Sequence, residues 1–142
     1  MKAVISRFLK SDKGEGIISG LYSLLLATIV LMIAIEAAGY SMRVWKLRQV
    51  SMETLNQMKV ENGLNNEIKS QFLALLDSYG LKDVPVEIQG TPQYVQRGDL
   101  LELNVRSIYT LNCLKPFGRT IQLPLNIQVR GLAHTFLRDE AK

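Results

Sequence analysis

Residues 17–35 read "IISGLYSLLLATIVLMIAI", a stretch with no charged residue and no proline. A helix of 19 residues is about 28 Å long, close to the roughly 30 Å hydrocarbon core of a bilayer. Eleven of the residues are Leu, Ile or Val, each contributing about −0.3 to −0.6 kcal/mol to insertion near the membrane centre. The pattern is not amphipathic, and a chain of 142 residues has little with which to cover such a helix on all sides. The stretch therefore predicts a transmembrane helix.

The charge distribution bears on the orientation of this helix. Half of the net charge of +4 lies in residues 1–16, where four basic residues outnumber two acidic ones. Basic residues next to a membrane span stay on the cytoplasmic side, which favours a cytoplasmic N-terminus. Three basic residues beyond the span act against this assignment: Arg43, Lys46 and Arg48. We interpret the positive charge as a topology signal and not as a sign of nucleic-acid binding.

The stretch "KGEGIISGLY" (13–22) allows two interpretations. Its glycines approximate the dinucleotide-binding pattern G-x-G-x-x-G, but Ser19 occupies the third glycine position and no strand pattern precedes it. A glycine between a short basic leader and an apolar helix instead has the layout of a type IV prepilin leader. Glycine suits such a cleavage site because it lets the chain unwind locally. The predicted cut falls between Gly16 and Ile17, with Gly14 as the alternative.

Two other interpretations of the leader stay open. A secretory signal peptide would have a shorter apolar core and small residues at its cleavage site, where this chain has Glu36. An uncleaved signal anchor would leave residues 1–16 on the chain.

Beyond Glu36 the sequence predicts two amphipathic helices. The first continues the membrane helix with a stripe interrupted by Ser51: Tyr40, Val44, Leu47, Leu55 and Met58. "ENGLNN" (61–66) ends that helix and supplies asparagines to cap another. The second helix has an apolar face made of Ile68, Phe72, Leu75, Leu76 and Tyr79. The pair Gly80–Leu81 predicts a Schellman-type end.

The last third of the chain has the pattern of a sheet. Apolar and polar residues alternate in 84–89, 99–111 and 119–132, and the two longer runs flank "NCLKPFG", as in an antiparallel hairpin with one apolar face. Pro124 places the last run at a sheet edge or a bulge. The predicted fold is α+β: a long N-terminal helix (transmembrane half plus amphipathic extension), a short second helix and a small antiparallel sheet. Its divisions are 1–16 (leader), 17–36 (membrane or filament-core helix), 37–79 (amphipathic helices) and 80–142 (β head).

This layout resembles the TadE-like pseudopilins of tight-adherence systems, which are type IV pilin-like proteins, and more closely their small relatives in Gram-positive bacteria. The resemblance covers nearly the whole chain, and its compact motifs are "KGEG" (13–16) and "LKPFG" (114–118). It implies cleavage by a prepilin peptidase, extraction by assembly machinery and incorporation into a pilus-like filament.

The resemblance also implies roles for single residues. The family pattern is a glycine, four residues, a glutamate and an aromatic residue, so Gly16 and Ile17 flank the cut and Tyr22 is the aromatic residue. Leu21 stands in place of the glutamate. In pilins that glutamate is thought to pair with the N-terminal amine of a neighbouring subunit. Leu21 cannot form this pair, and Glu36 is too far along the helix to replace it.

No residue pattern predicts catalysis, a metal site or a cofactor. His134 is the only histidine and Cys113 the only cysteine, and we expect them to be a surface residue at a strand end and a small packed residue. We expect no enzymatic activity. Beyond the span, Glu36 and the basic segment Arg43, Trp45, Lys46 and Arg48 predict contact with lipid headgroups or a neighbouring subunit. DNA is a weaker alternative partner.

These observations predict a structural subunit. It inserts in the cell membrane once with its N-terminus in the cytoplasm, and becomes extracellular if it is assembled into a filament. Its expected partners are copies of itself or other pilin-like subunits, membrane lipid, a prepilin peptidase and assembly machinery. The alternative is an uncleaved single-pass protein with a small α+β binding head in an envelope secretion or conjugation machine.

Overall fold

The computed structural model describes residues 12–113, 115 and 118–135, so most of the predicted leader lies outside the described residues. The elements are α1 (Asp12–Glu61), α2 (Asn66–Ser78), β1 (Val86–Gly90), β2 (Leu100–Leu111) and β3 (Ile121–Leu132). The chain divides into two compact units, Met1–Ala38 and the head, Gly39–Lys142. The long first helix, the short second helix and the small antiparallel sheet confirm the predicted α+β fold.

The second half of α1 supplies the helical side of the head's core. Leu47, Val50 and Met58 are fully buried there. Ser51 and Thr54 are also fully buried, so Ser51 does not interrupt the stripe as the sequence suggested. Each hydroxyl donates to the carbonyl one turn earlier, Ser51 to Leu47 at 2.7 Å and Thr54 to Val50 at 2.9 Å. Because these hydroxyls bond within the helix, they can lie in an apolar core at little cost.

The break between the helices follows the asparagine and glycine pattern. Asn62 (φ 54°) and Gly63 (φ 138°) turn the chain after α1. Asn65 is the N-cap of α2, and its side chain accepts a 2.7 Å hydrogen bond from the Ile68 amide. The caps predicted in "ENGLNN" are confirmed.

Replacing Asn65 with alanine should destabilise the head by about 1 kcal/mol, since an N-cap side chain satisfies an otherwise unpaired amide. Native-state hydrogen exchange of the sheet amides measures the change. Asn66→Ala is the matched control, because Asn66 is exposed and follows the cap. Equal destabilisation by the two substitutions would contradict the capping role.

The second helix ends as predicted. The Gly80 amide donates to the Asp77 carbonyl at 2.9 Å and the Leu81 amide to the Leu76 carbonyl at 2.8 Å. Gly80 has a φ of 72°, so the pair forms a Schellman motif. Ile68, Phe72 and Leu76 are buried on one face of α2, which confirms the predicted apolar face.

The sheet has the order β1-β2-β3 and is antiparallel throughout. In β2 the buried side chains alternate, as predicted: Leu101, Leu103, Val105 and Tyr109. Ser107 continues this face and is also buried, with its hydroxyl donating to the Pro85 carbonyl at 2.9 Å. Buried residues of both helices and of β2 and β3 form one core cluster.

Pro124 lies in the edge strand β3, opposite Ile108 of β2. The Glu102 carbonyl accepts from the Thr91 amide, on the β1 side of β2. Because backbone groups alternate sides along an antiparallel strand, Ile108 also directs its amide and carbonyl towards that side. The Ile108–Pro124 pair is therefore a non-hydrogen-bonded pair. Pro124 therefore removes no hydrogen bond between β2 and β3. Because it has no N–H group, it also hinders the pairing of a further strand at the open edge of β3.

Candidate functional site: an exposed apolar helix and a basic segment

The first part of α1 is an apolar helix that no other described residue covers. Every residue from Gly16 to Ile35 is exposed, including large side chains such as Leu24 at 65% and Ile33 at 62%. Within the part of the chain that the structure describes, α1 is one helix long and apolar enough to cross a membrane, and its apolar window lies near the N-terminus. An apolar surface of this size is expected to contact lipid or other protein.

One hydroxyl of the apolar part of α1 is satisfied within the helix. The Thr28 hydroxyl donates to the Leu24 carbonyl at 2.8 Å, so it needs no water to satisfy its hydrogen bond. Internal bonding of this kind is what a nonpolar environment requires of a hydroxyl.

The predicted processing residues all lie in α1. Gly16, Ile17, Leu21 and Tyr22 are exposed, and nothing lies within 4 Å of a Cβ built on Gly16. The Gly16–Ile17 bond is part of the helix, so a peptidase would have to unwind the helix there, which a glycine makes easier. Leu21 is 62% exposed, so its apolar side chain lies on the surface of the helix.

Part of the basic segment belongs to the head. The Arg43 guanidinium lies 4.8 Å from the centre of the Tyr109 ring, and Tyr40 meets the same ring edge-on at 5.5 Å. Lys46 Nζ donates to the Tyr79 carbonyl at 2.9 Å, which lies at the end of α2, where carbonyls lack partners within the helix. Arg43 and Lys46 are therefore used within the head.

Trp45 and Arg48 are exposed, with Trp45 at 54%. The structure thus leaves these two residues of the basic segment available to a lipid or protein partner. Glu36 is half-buried.

Sequence reasoning missed two exposed methionines on the same helix, Met42 at 57% and Met52 at 45%. Their spacing of three and seven residues from Trp45 was the signal that could have identified them.

The head carries a groove of about 670 Å³ beside the start of β1. Its charged side chains are Glu87 and Arg106, which are cross-strand neighbours.

Within residues 12–113, 115 and 118–135, no three His, Cys, Asp or Glu residues are grouped so that they could hold a metal ion. His134 is exposed and Cys113 half-buried.

Comparison with known proteins places the chain in a family. A family model described as a domain of unknown function, DUF4320, matches residues 24–138. This range includes most of the apolar helix and nearly all of the head. No curated protein and no solved structure matches the chain. The chain belongs to the DUF4320 family.

Proposed function

We propose that this protein is a structural, pilin-like subunit of the TadE-like type. It inserts in the cell membrane through residues 17–36, with its N-terminus in the cytoplasm, and is cleaved between Gly16 and Ile17. It then assembles through its apolar helix, with copies of itself or other pilin-like subunits, into a pilus or pseudopilus. A prepilin peptidase and assembly machinery are the partners that this function requires.

The observation that carries the proposal is the exposed apolar part of α1, which continues in the same helix into a folded head. An isolated helix with such a surface is not stable in water, so it must be covered by lipid or by neighbouring helices. A pilin-like subunit meets both environments: lipid surrounds its helix before assembly, and neighbouring subunits surround it in the filament.

Leu21 favours a second candidate function. Without a glutamate at this position, the chain lacks the charge that would pair with a neighbour's new N-terminus. An uncleaved single-pass protein has no such requirement. In that case residues 17–36 anchor an α+β head that recruits a partner in a secretion or conjugation machine.

Substitution of the two candidate glycines tests the processing site. Gly16→Leu should keep the leader on the chain, because a bulky residue does not fit a narrow protease subsite. Gly14→Leu should leave cleavage intact and serves as the matched control. The measurement is the intact mass of each protein isolated from its native membrane. The reverse result would move the cut to Gly14, and a leader retained in both variants and in the unchanged protein would favour the uncleaved anchor.

A further inference from the structure

The outer face of α1 in the head carries large apolar side chains that the described part of the chain leaves about half exposed. Met42, Trp45 and Met52 are 57%, 54% and 45% exposed, whereas Leu47 and Val50 on the opposite face are fully buried. Two exposed polar residues, Gln49 and Asn56, fall in the same stripe. The stripe has alternating spacings of three and four residues: 42, 45, 49, 52 and 56. This is the a/d pattern of a coiled coil over two heptads.

Charged residues flank this stripe in a complementary arrangement. With Met42 at an a position, Arg48 is a g residue and Glu53 is the e residue of the next heptad. Both are exposed, and neither takes part in an ion pair with the described part of the chain. In a parallel, in-register pair of helices, a g residue faces the e residue five positions later on the other helix. Arg48 of each copy would therefore meet Glu53 of the other.

In an antiparallel pair of helices, Arg48 and Glu53 would not attract each other. Such a pair would bring g residues together and e residues together, so that arginine faces arginine and glutamate faces glutamate. The remaining e residue of the first heptad, Lys46, is held by the Tyr79 carbonyl. The polar a residues Gln49 and Asn56 add a preference for one register, since each is best placed opposite its own copy.

We infer that this outer face, defined by Met42, Trp45, Gln49, Met52 and Asn56, binds the same face of a second copy in a parallel, in-register pair. The inference rests on the proposed membrane insertion. Two copies inserted in one bilayer with the same orientation are parallel, and their identical spans lie at the same depth. The membrane thus imposes the arrangement that the charges favour.

Two heptads are too short for a stable coiled coil in solution. Confinement of two copies to one membrane raises their effective concentration and makes a weak contact significant. Trp45 is the largest side chain of the face, and tryptophan is among the residues that contribute most to binding. Reversing one of the two charges replaces two attractive pairs by two repulsive ones and should weaken association about fivefold to tenfold.

Disulfide trapping tests the geometry in the full-length chain. The chain carries Cys113→Ser, so that a single new cysteine reports the contact, and is placed in bilayers of phosphatidylcholine and phosphatidylglycerol. Gln49→Cys should form a disulfide-linked dimer on mild oxidation, because equivalent a residues are adjacent in a parallel pair. Ala74→Cys, at an exposed position of α2, is the matched control and should stay monomeric.

Charge reversal in the Gln49→Cys chain tests the orientation. Arg48→Glu alone and Glu53→Arg alone should each reduce the trapped dimer about fivefold or more, and the double variant should restore it. If Trp45 and Arg48 contact lipid headgroups instead, Gln49→Cys stays monomeric or the double variant does not recover. Either of these results overturns the pairing.

The same samples separate failure of the pairing from failure of the proposed function. A chain that inserts but gives no Gln49→Cys dimer overturns the pairing and leaves the membrane function intact. A chain that does not insert overturns both, because the alignment of the two copies depends on the bilayer. Equal trapping at Gln49→Cys and Ala74→Cys indicates random collision and also overturns the pairing.

Discussion

Leu26→Arg should remove most of the protein from the membrane fraction. Leu26 is in the middle of the apolar stretch and is 50% exposed, so the substitution disturbs no packing within the folded chain. Exchange of leucine for arginine at the centre of a membrane helix costs about 3–4 kcal/mol. The eleven aliphatic residues together contribute only about 3–6 kcal/mol to insertion. We expect the bound fraction, measured by sedimentation of carbonate-washed membranes, to fall about tenfold or more.

The matched control is Leu73→Arg on α2, where the leucine is 61% exposed. The two substitutions exchange the same side chains at similarly exposed positions. If the apolar helix were simply a surface of a protein in water, they would have equal effects. Membrane association unchanged by Leu26→Arg, or reduced as much by Leu73→Arg, would contradict membrane insertion of this helix.

Gly63→Ala should strongly destabilise the head. A Cβ at this position would overlap the Pro92 carbonyl oxygen and lie 2.6 Å from Gln93 Cα. Both atoms are backbone, so no side-chain rotation relieves the contact. The φ of 138° is also a conformation that alanine rarely adopts. Backbone strain of about 1–3 kcal/mol and overpacking of about 1–3 kcal/mol together predict a loss of about 2–6 kcal/mol.

Gly80→Ala separates the two causes. Gly80 also has a positive φ, of 72°, but a Cβ there meets nothing within 4 Å. The Gly80→Ala substitution should therefore lower the free energy of unfolding by only about 1–2 kcal/mol, the cost of a residue with a side chain in the left-handed conformation. Hydrogen exchange of the β2 amides gives both values, because these amides exchange through unfolding of the head. Equal losses at the two positions would show that the close approach of Gly63 to residues 92–93 contributes nothing.

The elements of the fold were predictable because each has a local cause. Strict alternation identified β2 and its buried face, and the glycine and asparagine pairs identified the helix ends. Contacts between distant segments were not predictable. The Leu64 amide donates to the Thr91 carbonyl at 2.8 Å, and nothing in either sequence segment indicates the other. Alternation places Ser107 on the core face, but its hydrogen bond to the Pro85 carbonyl joins distant segments and was not predictable.

The candidate site was predictable only where its features have a local cause in the sequence. Composition alone identifies the apolar helix, and the structure leaves it exposed. The sequence predicts a single exposed basic surface, but Arg43 and Lys46 contact Tyr109 and the Tyr79 carbonyl within the head. Those partners come from distant parts of the chain, so sequence reasoning could not separate them from the exposed Arg48.

The N-terminal mass of the protein, taken from its native membrane or filament, tests the proposed function most directly. Cleavage as a pilin-like subunit predicts a chain that starts at Ile17. Such a start would also make Leu21 an exception to the glutamate pattern of the family it resembles. An intact chain starting at Met1 would contradict the processed-subunit function and favour the signal-anchored membrane protein.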